Sequence, residues 1–217
     1  MSKPVIAIIG GTGKEGTGLA LRWAHAGYQI IIGSRQAERA EATAAELNTQ
    51  LGTDTIIGLE NSQAAAQAEI CVLTVVFKFH ADAVENLKEA LQGKLVVDAT
   101  ARVAFPQAIP PGPPSAGRIA QDILGEGATV VTAFQNVPAS LLKKNLGQPV
   151  ESDVLVCGDD LEAVERVVTL TKDAGMEGYY AGGLDNAFVV EGLTGLLIKM
   201  NTYYKGHGTI RVAGIKK

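Results

Sequence analysis

Apolar runs alternate with amphipathic segments from residue 5 to residue 134. Six runs rich in Val and Ile have the length of β-strands: Val5–Ile9, Gln29–Ile32, Thr55–Leu59, Ile70–Val76, Leu95–Asp98 and Thr129–Phe134. All but the third are almost continuously apolar, as is typical of strands covered on both faces. Segments with helical spacing of apolar residues lie between them, at 14–26, 36–50, 61–68, 80–92 and 115–124. This α/β alternation predicts βαβ units and a doubly wound, Rossmann-type parallel sheet.

The pattern changes after residue 137. The elements predicted there are a helix at 139–144, a strand at Asp153–Cys157, a helix ending at Ala174, a strand at Gly178–Tyr180, a helix at 184–204 and a last strand at Thr209–Ala213. We therefore predict two domains, a Rossmann domain at 1–137 and a small C-terminal α/β domain at 138–217. The helix at 184–204 is apolar around much of its circumference, so we expect it to be buried in the core or in a subunit interface. A homodimer is the simplest way to cover it.

Composition and charge narrow the classes of function. Hydrophobic residues make up 47% of the 217 residues and charged residues 19%, which allows a sizeable core. The net charge of −4 disfavours general binding to nucleic acids or membrane surfaces, which uses basic surfaces. Neither a membrane-spanning run nor a secretion signal is recognisable. The two cysteines, Cys71 and Cys157, are too few for a disulfide framework or a zinc site and suit a cytoplasmic location.

A glycine-rich loop directly after the first strand carries the clearest chemistry. Its sequence, Gly10-Gly-Thr-Gly-Lys-Glu-Gly16, contains the pattern G-x-G-x-x-G and opens a helix. In this pattern one glycine makes a tight turn, one lets the backbone approach a pyrophosphate, and one lets the helix pack close to the strand. The phosphates then bind free N–H groups at the helix N-terminus. The setting predicts a dinucleotide site, and the missing Gly-Lys-Ser/Thr ending argues against an NTPase.

The end of the second strand indicates which dinucleotide is bound. NAD-specific folds place Asp or Glu there, about 20 residues after the glycines, to bind the ribose hydroxyls. Here the chain has Ser34 and Arg35, followed by Arg39. A hydroxyl and guanidinium groups suit a 2′-phosphate, because the charge is opposite and an arginine can donate two parallel hydrogen bonds. The sequence therefore predicts NADP(H).

Side chains able to serve as a metal ligand, acid or base are few. None of the three histidines, His25, His80 and His207, has the spacing of a metal site, and no metal is predicted. His80 follows the fourth strand at the carboxyl edge of the sheet, where it is either catalytic or an ordinary histidine at a helix start. Hydride transfer between two cofactors needs proximity, alignment and exclusion of water but no acid or base. The chain fits that class, so no catalytic residue is predicted.

Seven motifs are spread along nearly the whole chain: Gly10–Gly13 with Gly16, Gly18–Arg22, Ile32–Arg35, Ile57–Asn61, Ala133–Val137, Val154–Asp159 and Tyr204–Val212. Together they resemble those of the NADPH-dependent reductases of the deazaflavin coenzyme F420. The glycine loop is common to many proteins, whereas the last two motifs are much more specific. The resemblance implies an oxidoreductase that uses NADP(H), with coenzyme F420 as co-substrate. In this family a hydride passes between nicotinamide C4 and deazaflavin C5.

The resemblance also implies roles for the phosphate-binding residues. At the pyrophosphate they are Gly11, Thr12, Gly13, Lys14, Glu15 and Gly16, and at the 2′-phosphate they are Ser34, Arg35 and Arg39.

The implied ring-binding residues come from separate parts of the chain. Gln135 stands where some family members have His, and we expect it, with the adjacent Asn136, close to the deazaflavin ring. Ala139 is expected to approach the nicotinamide carboxamide through its backbone, and Ile210 to press on the deazaflavin. Val76 lies in the loop that borders the nicotinamide. The two rings are expected to stack in a cleft between the two domains.

Two segments leave alternatives open. Several family members carry Pro and an aromatic residue after the fourth strand, whereas Val75–His80 lacks the proline. Five of the eight prolines fall within Phe105–Pro114, which is either a stiff loop over the second-substrate site or an outer connection. Two other functions share the Rossmann half. One is an NADPH-dependent flavin or ferric-chelate reductase, and the other is a non-catalytic NADP-sensing protein.

Overall fold

The apolar runs of the sequence form the strands of one sheet. The computed structural model describes residues 3–104 and 107–215, and the statements below concern those residues. The strands are β1 (Ile6–Ile9), β2 (Ile30–Ser34), β3 (Ile56–Glu60), β4 (Ile70–Leu73), β5 (Leu95–Asp98), β6 (Thr129–Thr132), β7 (Val154–Gly158) and β8 (Gly178–Tyr180). Their spatial order is β3-β2-β1-β4-β5-β6-β7-β8. The first six are parallel, β7 is antiparallel to β6, and β8 is parallel to β7. The predicted Rossmann-type α/β fold is confirmed.

Helices connect the strands and cover both faces of the sheet. They are α1 (Lys14–His25), α2 (Ala37–Leu51), α3 (Asn61–Gln67), α4 (His80–Asn86), α5 (Lys88–Leu91), α6 (Ala116–Leu124), α7 (Ala139–Leu142), α8 (Leu161–Asp173) and α9 (Ala187–Tyr204). Turns of 3-10 helix occupy Phe77–Phe79, Gly125–Gly127 and Leu184–Asn186. None of the described helices is long and apolar enough to span a membrane.

The side chains of successive strand residues feed two separate cores. Ile6 and Ile8 of β1 belong to one apolar cluster, and Ala7 and Ile9 belong to the other. This alternation is what a pleated strand covered on both faces produces. The first cluster includes Trp23, and it continues into β7 and α8.

Two side chains of α1 fasten the C-terminal third of the chain to the first two thirds. The Trp23 indole Nε1 donates to the Leu170 carbonyl of α8 at 2.9 Å. The buried Arg22 guanidinium donates to the Leu142 and Gln148 carbonyls, each at 2.8 Å, and also to the Lys144 carbonyl. The sheet and the core therefore continue across residue 137, where the sequence predicts a domain boundary.

The structure corrects three predicted elements. The helix predicted at 80–92 is divided at Leu87 into α4 and α5. The strand predicted at 70–76 ends at Leu73, because the chain turns at the carboxyl edge of the sheet. The strand predicted at Thr209–Ala213 is not formed. That segment lies beside the residues before β7, and the Ile210 carbonyl accepts one backbone hydrogen bond from Asp153.

Candidate functional site

The glycine loop between β1 and α1 has the geometry that its pattern predicts. A Cβ on Gly11 would lie 2.6 Å from the Ile8 carbonyl, and one on Gly16 would lie 2.7 Å from the Gly11 Cα, so both positions exclude side chains. Gly13 faces open space instead. The Thr17 amide makes the first helical bond, to the Gly13 carbonyl at 3.0 Å, which leaves the earlier amides free of helical partners. This loop can therefore cradle a phosphate at a helix N-terminus.

A cleft of about 580 Å³ lies at the carboxyl ends of β1, β2, β3 and β4. Its lining includes Gly10, Thr12, Gly13, Ser34, Arg35, Arg39, Asn61, Thr74, Val76, Phe79 and Asn86. The structure thus brings together six of the predicted cofactor residues, namely Thr12, Gly13, Ser34, Arg35, Arg39 and Val76. The volume falls within the range of small-molecule sites.

One end of this cleft is suited to an anion. Ser34 is buried, while Arg35 and Arg39 are exposed and form no salt bridge with a carboxylate among the described residues. The Arg35 guanidinium lies over the ring of Phe79, 5.4 Å from its centre. Two arginines without carboxylate partners beside a hydroxyl fit a phosphate group. The residues present therefore fit the 2′-phosphate of NADP(H).

Glu15 belongs to the glycine loop but does not line the cleft. Burial and, to a smaller extent, the nearby charge of Asp98 together raise the pKa of its carboxyl to about 8. Lys14 also lies outside the lining, and its side chain is exposed. For both residues the backbone amide, at the start of α1, is the group available to a pyrophosphate.

A buried pair, His80 and Asp98, lies at the carboxyl ends of β4 and β5. The His80 Nε2 and an Asp98 carboxylate oxygen are 2.6 Å apart, and neither side chain is accessible to solvent. Burial lowers the pKa of His80, but the charge and hydrogen bond of Asp98 and the charge of Glu191 outweigh burial and raise it. The His80 Nδ1 has no partner among the described residues. The sequence singled out His80 alone, since its partner is 18 residues away on the next strand.

Gln135, at the end of β6, is held in a fixed orientation. Its side-chain amide nitrogen donates to the Asp98 backbone carbonyl at 2.8 Å. Its backbone carbonyl accepts a hydrogen bond from the Thr194 hydroxyl of α9 at 2.6 Å. The Gln135 side-chain oxygen is buried without a partner among the described residues. An oxygen in that state has an unused capacity to accept a hydrogen bond. The predicted role of Gln135 beside a ring thus has a chemical basis.

Of the predicted ring-binding residues, Val76 lines the cleft, whereas Gln135, Asn136, Ala139 and Ile210 lie apart from it. The Asn136 amide is used within the fold, since it donates to the Asp153 carbonyl and accepts from the Leu155 amide. Only its backbone is left for a ligand. Ala139 is half-buried at the start of α7, and Ile210 is half-buried in the segment beside β7. A separate cavity of about 80 Å³ lies between residues 135–138 and α9.

Glu191, a buried carboxylate on α9, holds both ends of the proline-rich segment. Its two oxygens accept hydrogen bonds from the amides of Ala116, at 2.7 Å, and Arg102, at 3.3 Å. Burial raises the pKa of Glu191 to about 7 against these two bonds, which lower it. The segment packs closely against α9. The Ala108 carbonyl is so near to the helix that a Cβ on Gly195 would lie 2.7 Å from it. Phe105 and Pro106, the first residues of this predicted loop, lie outside the described residues.

Comparisons with known proteins show which family the chain resembles. A family model described as "NADP oxidoreductase coenzyme F420-dependent" matches residues 5–102. The F420-dependent NADP reductase of Methanocaldococcus jannaschii is 40% identical, over 97% of this chain and 99% of its own length. That of Methanothermobacter thermautotrophicus is 37% identical, over 97% of this chain and 93% of its own.

A solved structure supports the same assignment. The crystal structure of a candidate F420-dependent NADP-reductase from Arthrobacter sp. FB24 has a TM-score of 0.77 and 26% identity, covering 94% of this chain and 96% of that one. The chain therefore belongs to the family of F420-dependent NADP reductases.

Proposed function

We propose that this enzyme transfers a hydride directly between NADP(H) and the deazaflavin coenzyme F420. The observation that carries the proposal is one cleft that joins a phosphate-binding glycine loop to two unpaired arginines, in a chain whose full-length relatives are F420-dependent NADP reductases. When bound, the two cofactors supply the redox chemistry at nicotinamide C4 and deazaflavin C5. The protein then has to bind, align and shield the two rings.

The NADP(H) half of the site is assigned to residues before position 137. The amides at the start of α1 hold the pyrophosphate, with Gly13 leaving room for it. Ser34, Arg35 and Arg39 hold the 2′-phosphate by charge-assisted hydrogen bonds. Val76, which is 71% exposed after β4, borders the nicotinamide.

The F420 half of the site is assigned to the end of β6 and to residues 138–217. The free side-chain oxygen of Gln135 accepts an N–H of the ring system, and its orientation is set by Asp98 and Thr194. The backbones of Asn136 and Ala139 and the apolar side chain of Ile210 complete the ring site. No protein acid or base has to act on the transferred hydride.

A homodimer is part of the proposal. One face of α9 exposes Val189, Leu196, Met200 and Tyr203, each with at least half of its side chain accessible to solvent. A second copy of the chain covers this face, since a symmetric interface pairs the same apolar patch with itself. We also propose that the enzyme acts in the cytoplasm, because its two buried cysteines, Cys71 and Cys157, are free thiols.

The test of this function is an acceptor and donor comparison. Purified protein is mixed with NADPH and F420, and the loss of visible absorption of the oxidised deazaflavin is followed. NADH replaces NADPH in one series, and FMN or a ferric chelate replaces F420 in another. Rapid bleaching that occurs with NADPH and F420, and not with the replacement partners, supports the proposal. Equal or faster turnover of FMN or the ferric chelate would favour the flavin or ferric-chelate reductase, and NADPH binding without any turnover would favour the NADP sensor.

A further inference from the structure

Arg35 and Phe79 meet across the cofactor cleft. Arg35 follows β2, and Phe79 lies in the turn after β4. The strand order places β1, with its glycine loop, between β2 and β4. Arg35 and Phe79 thus follow the strands on either side of β1, and both line the cleft that includes the glycine loop.

We propose that Phe79 is a positioning residue that holds Arg35 ready for the 2′-phosphate and so increases the preference for NADP(H) over NAD(H). The inference rests on the proposed function, because it assumes that this cleft binds the dinucleotide. A guanidinium over a ring uses its face for that contact and keeps its N–H groups, which lie in its plane, for a phosphate. The two interactions can exist together.

The base of Phe79 is fixed while its ring is exposed. Its amide donates to the Val76 carbonyl at 2.8 Å, and the next residue is the buried His80, which is paired with Asp98. The ring itself is 45% exposed, and a second cation, Lys78, lies 5.5 Å from its centre. A rigid turn thus presents an aromatic face to the cleft, where Arg35 rests on it.

The electrostatics explain why Arg35 needs such a support. Arg35 forms no salt bridge with any described carboxylate, so the Phe79 ring is the contact that restrains it. An exposed arginine otherwise loses much rotamer freedom when it binds a phosphate. A cation–π contact at an exposed site corresponds to a change in affinity of about two- to five-fold. This gain in affinity depends on the 2′-phosphate, so it applies to NADPH and not to NADH.

A double-mutant cycle tests the proposal. The dissociation constants of NADPH and NADH are measured by calorimetry for the wild type, Phe79→Ala, Arg35→Gln and the double variant. We expect Phe79→Ala to weaken NADPH binding about two- to five-fold and to leave NADH binding unchanged. With Arg35→Gln already present, Phe79→Ala should have no further effect on NADPH.

Three further variants show whether the aromatic ring of Phe79 is responsible for the effect. Phe79→Tyr keeps the ring and should retain the wild-type ratio of NADPH to NADH affinity, whereas Phe79→Leu keeps the bulk and should lower the ratio as alanine does. Phe77→Leu is a control from the same turn that should leave the ratio unchanged. The proposal is overturned if Phe79→Ala weakens both nucleotides equally, or weakens NADPH by the same factor without Arg35. If the wild type does not prefer NADPH at all, the assignment of the cleft to NADP(H) fails instead.

Discussion

At the scale of single residues, several ionisable groups near Asp98 bind their protons more tightly than usual. Glu15, His80 and Glu191 all have a raised pKa, and Asp98 contributes to each shift through its charge. A group whose pKa is higher in the folded than in the unfolded protein binds its proton more tightly when folded. The stability from these three groups is therefore largest at low pH and declines as the pH rises.

Replacing Glu15 should make this pH dependence visible. The pKa of Glu15 rises from 4.5 to about 8 on folding, so its contribution to stability declines between those two values. Glu15→Gln carries no proton to lose, and we expect its slope of unfolding free energy against pH to be flatter by up to about 1.4 kcal/mol per pH unit. Urea unfolding at several values from pH 5.5 to pH 8 measures the slope. Glu38→Gln, the exposed equivalent in the first turn of α2, is the control, and identical slopes for Glu15→Gln and the wild type would contradict the assignment.

The residues predicted from the sequence fall into two groups. Ser34, Arg35 and the glycines could be placed because each follows an identifiable strand, and strand ends of a parallel sheet meet at one edge. The pairing of His80 with Asp98 could not, since it depends on β4 and β5 being neighbours in space. The internal use of the Asn136 amide is equally invisible, because its partners lie on β7.

At the scale of elements, Glu191 joins α9 to the proline-rich segment. The segment begins at Arg102 and ends where α6 starts, and both ends donate a backbone hydrogen bond to this one carboxylate. The Arg102 side chain adds bonds to the Gly112 and Pro114 carbonyls. The segment is therefore a strap that is tied at both ends and packed against α9.

Removing that carboxylate should release the strap. Glu191→Ala leaves one buried and one partly buried amide without an acceptor, and we expect a loss of about 2 to 4 kcal/mol in the free energy of unfolding. We also expect faster proteolytic cleavage within residues 103–115. Glu89→Ala, an exposed glutamate on α5, serves as the control. A strap that stays as resistant to protease in Glu191→Ala as in the wild type would show that the carboxylate does not hold it.

The differences between predicted and observed elements have physical causes. The apolar pattern located the six parallel strands to within a few residues, because strands covered on both faces must be continuously apolar. The same pattern cannot show that β7 and β8 extend the first sheet rather than build a second one. Nor can it show that Thr209–Ala213, which has strand-like residues but few backbone partners, is not a strand.

At the scale of the whole molecule, α9 exposes an apolar face that we assign to a subunit interface. Its glycine face, with Gly192 and Gly195, packs against the strap, and the adjoining face exposes the apolar residues that we assign to the dimer interface. The side that packs within the chain is therefore already covered. The other side is covered by a second copy in the proposed dimer.

Charges on that face should separate the dimer. Leu196→Glu combined with Met200→Glu would place two carboxylates of each copy in an apolar interface, which costs several kcal/mol when they are unpaired. Light scattering should give about twice 22.6 kDa for the wild type and about 22.6 kDa for the variant. Glu46→Lys, an exposed charge reversal on α2, should remain a dimer. A wild type with the mass of one chain, or a double variant with the mass of two, would contradict the interface.

The measurement that tests the central claim most directly is the fate of the transferred hydrogen. NADPH labelled with deuterium at nicotinamide C4, in each of its two stereochemical forms, is oxidised by the enzyme in the presence of F420, and the reduced deazaflavin is analysed by mass spectrometry. Direct transfer between rings held together in a shielded cleft predicts that one of the two forms delivers its deuterium to the deazaflavin without loss to water. Reduced F420 without deuterium from either form, or no reduction of F420 by a protein that binds NADPH, would contradict the account.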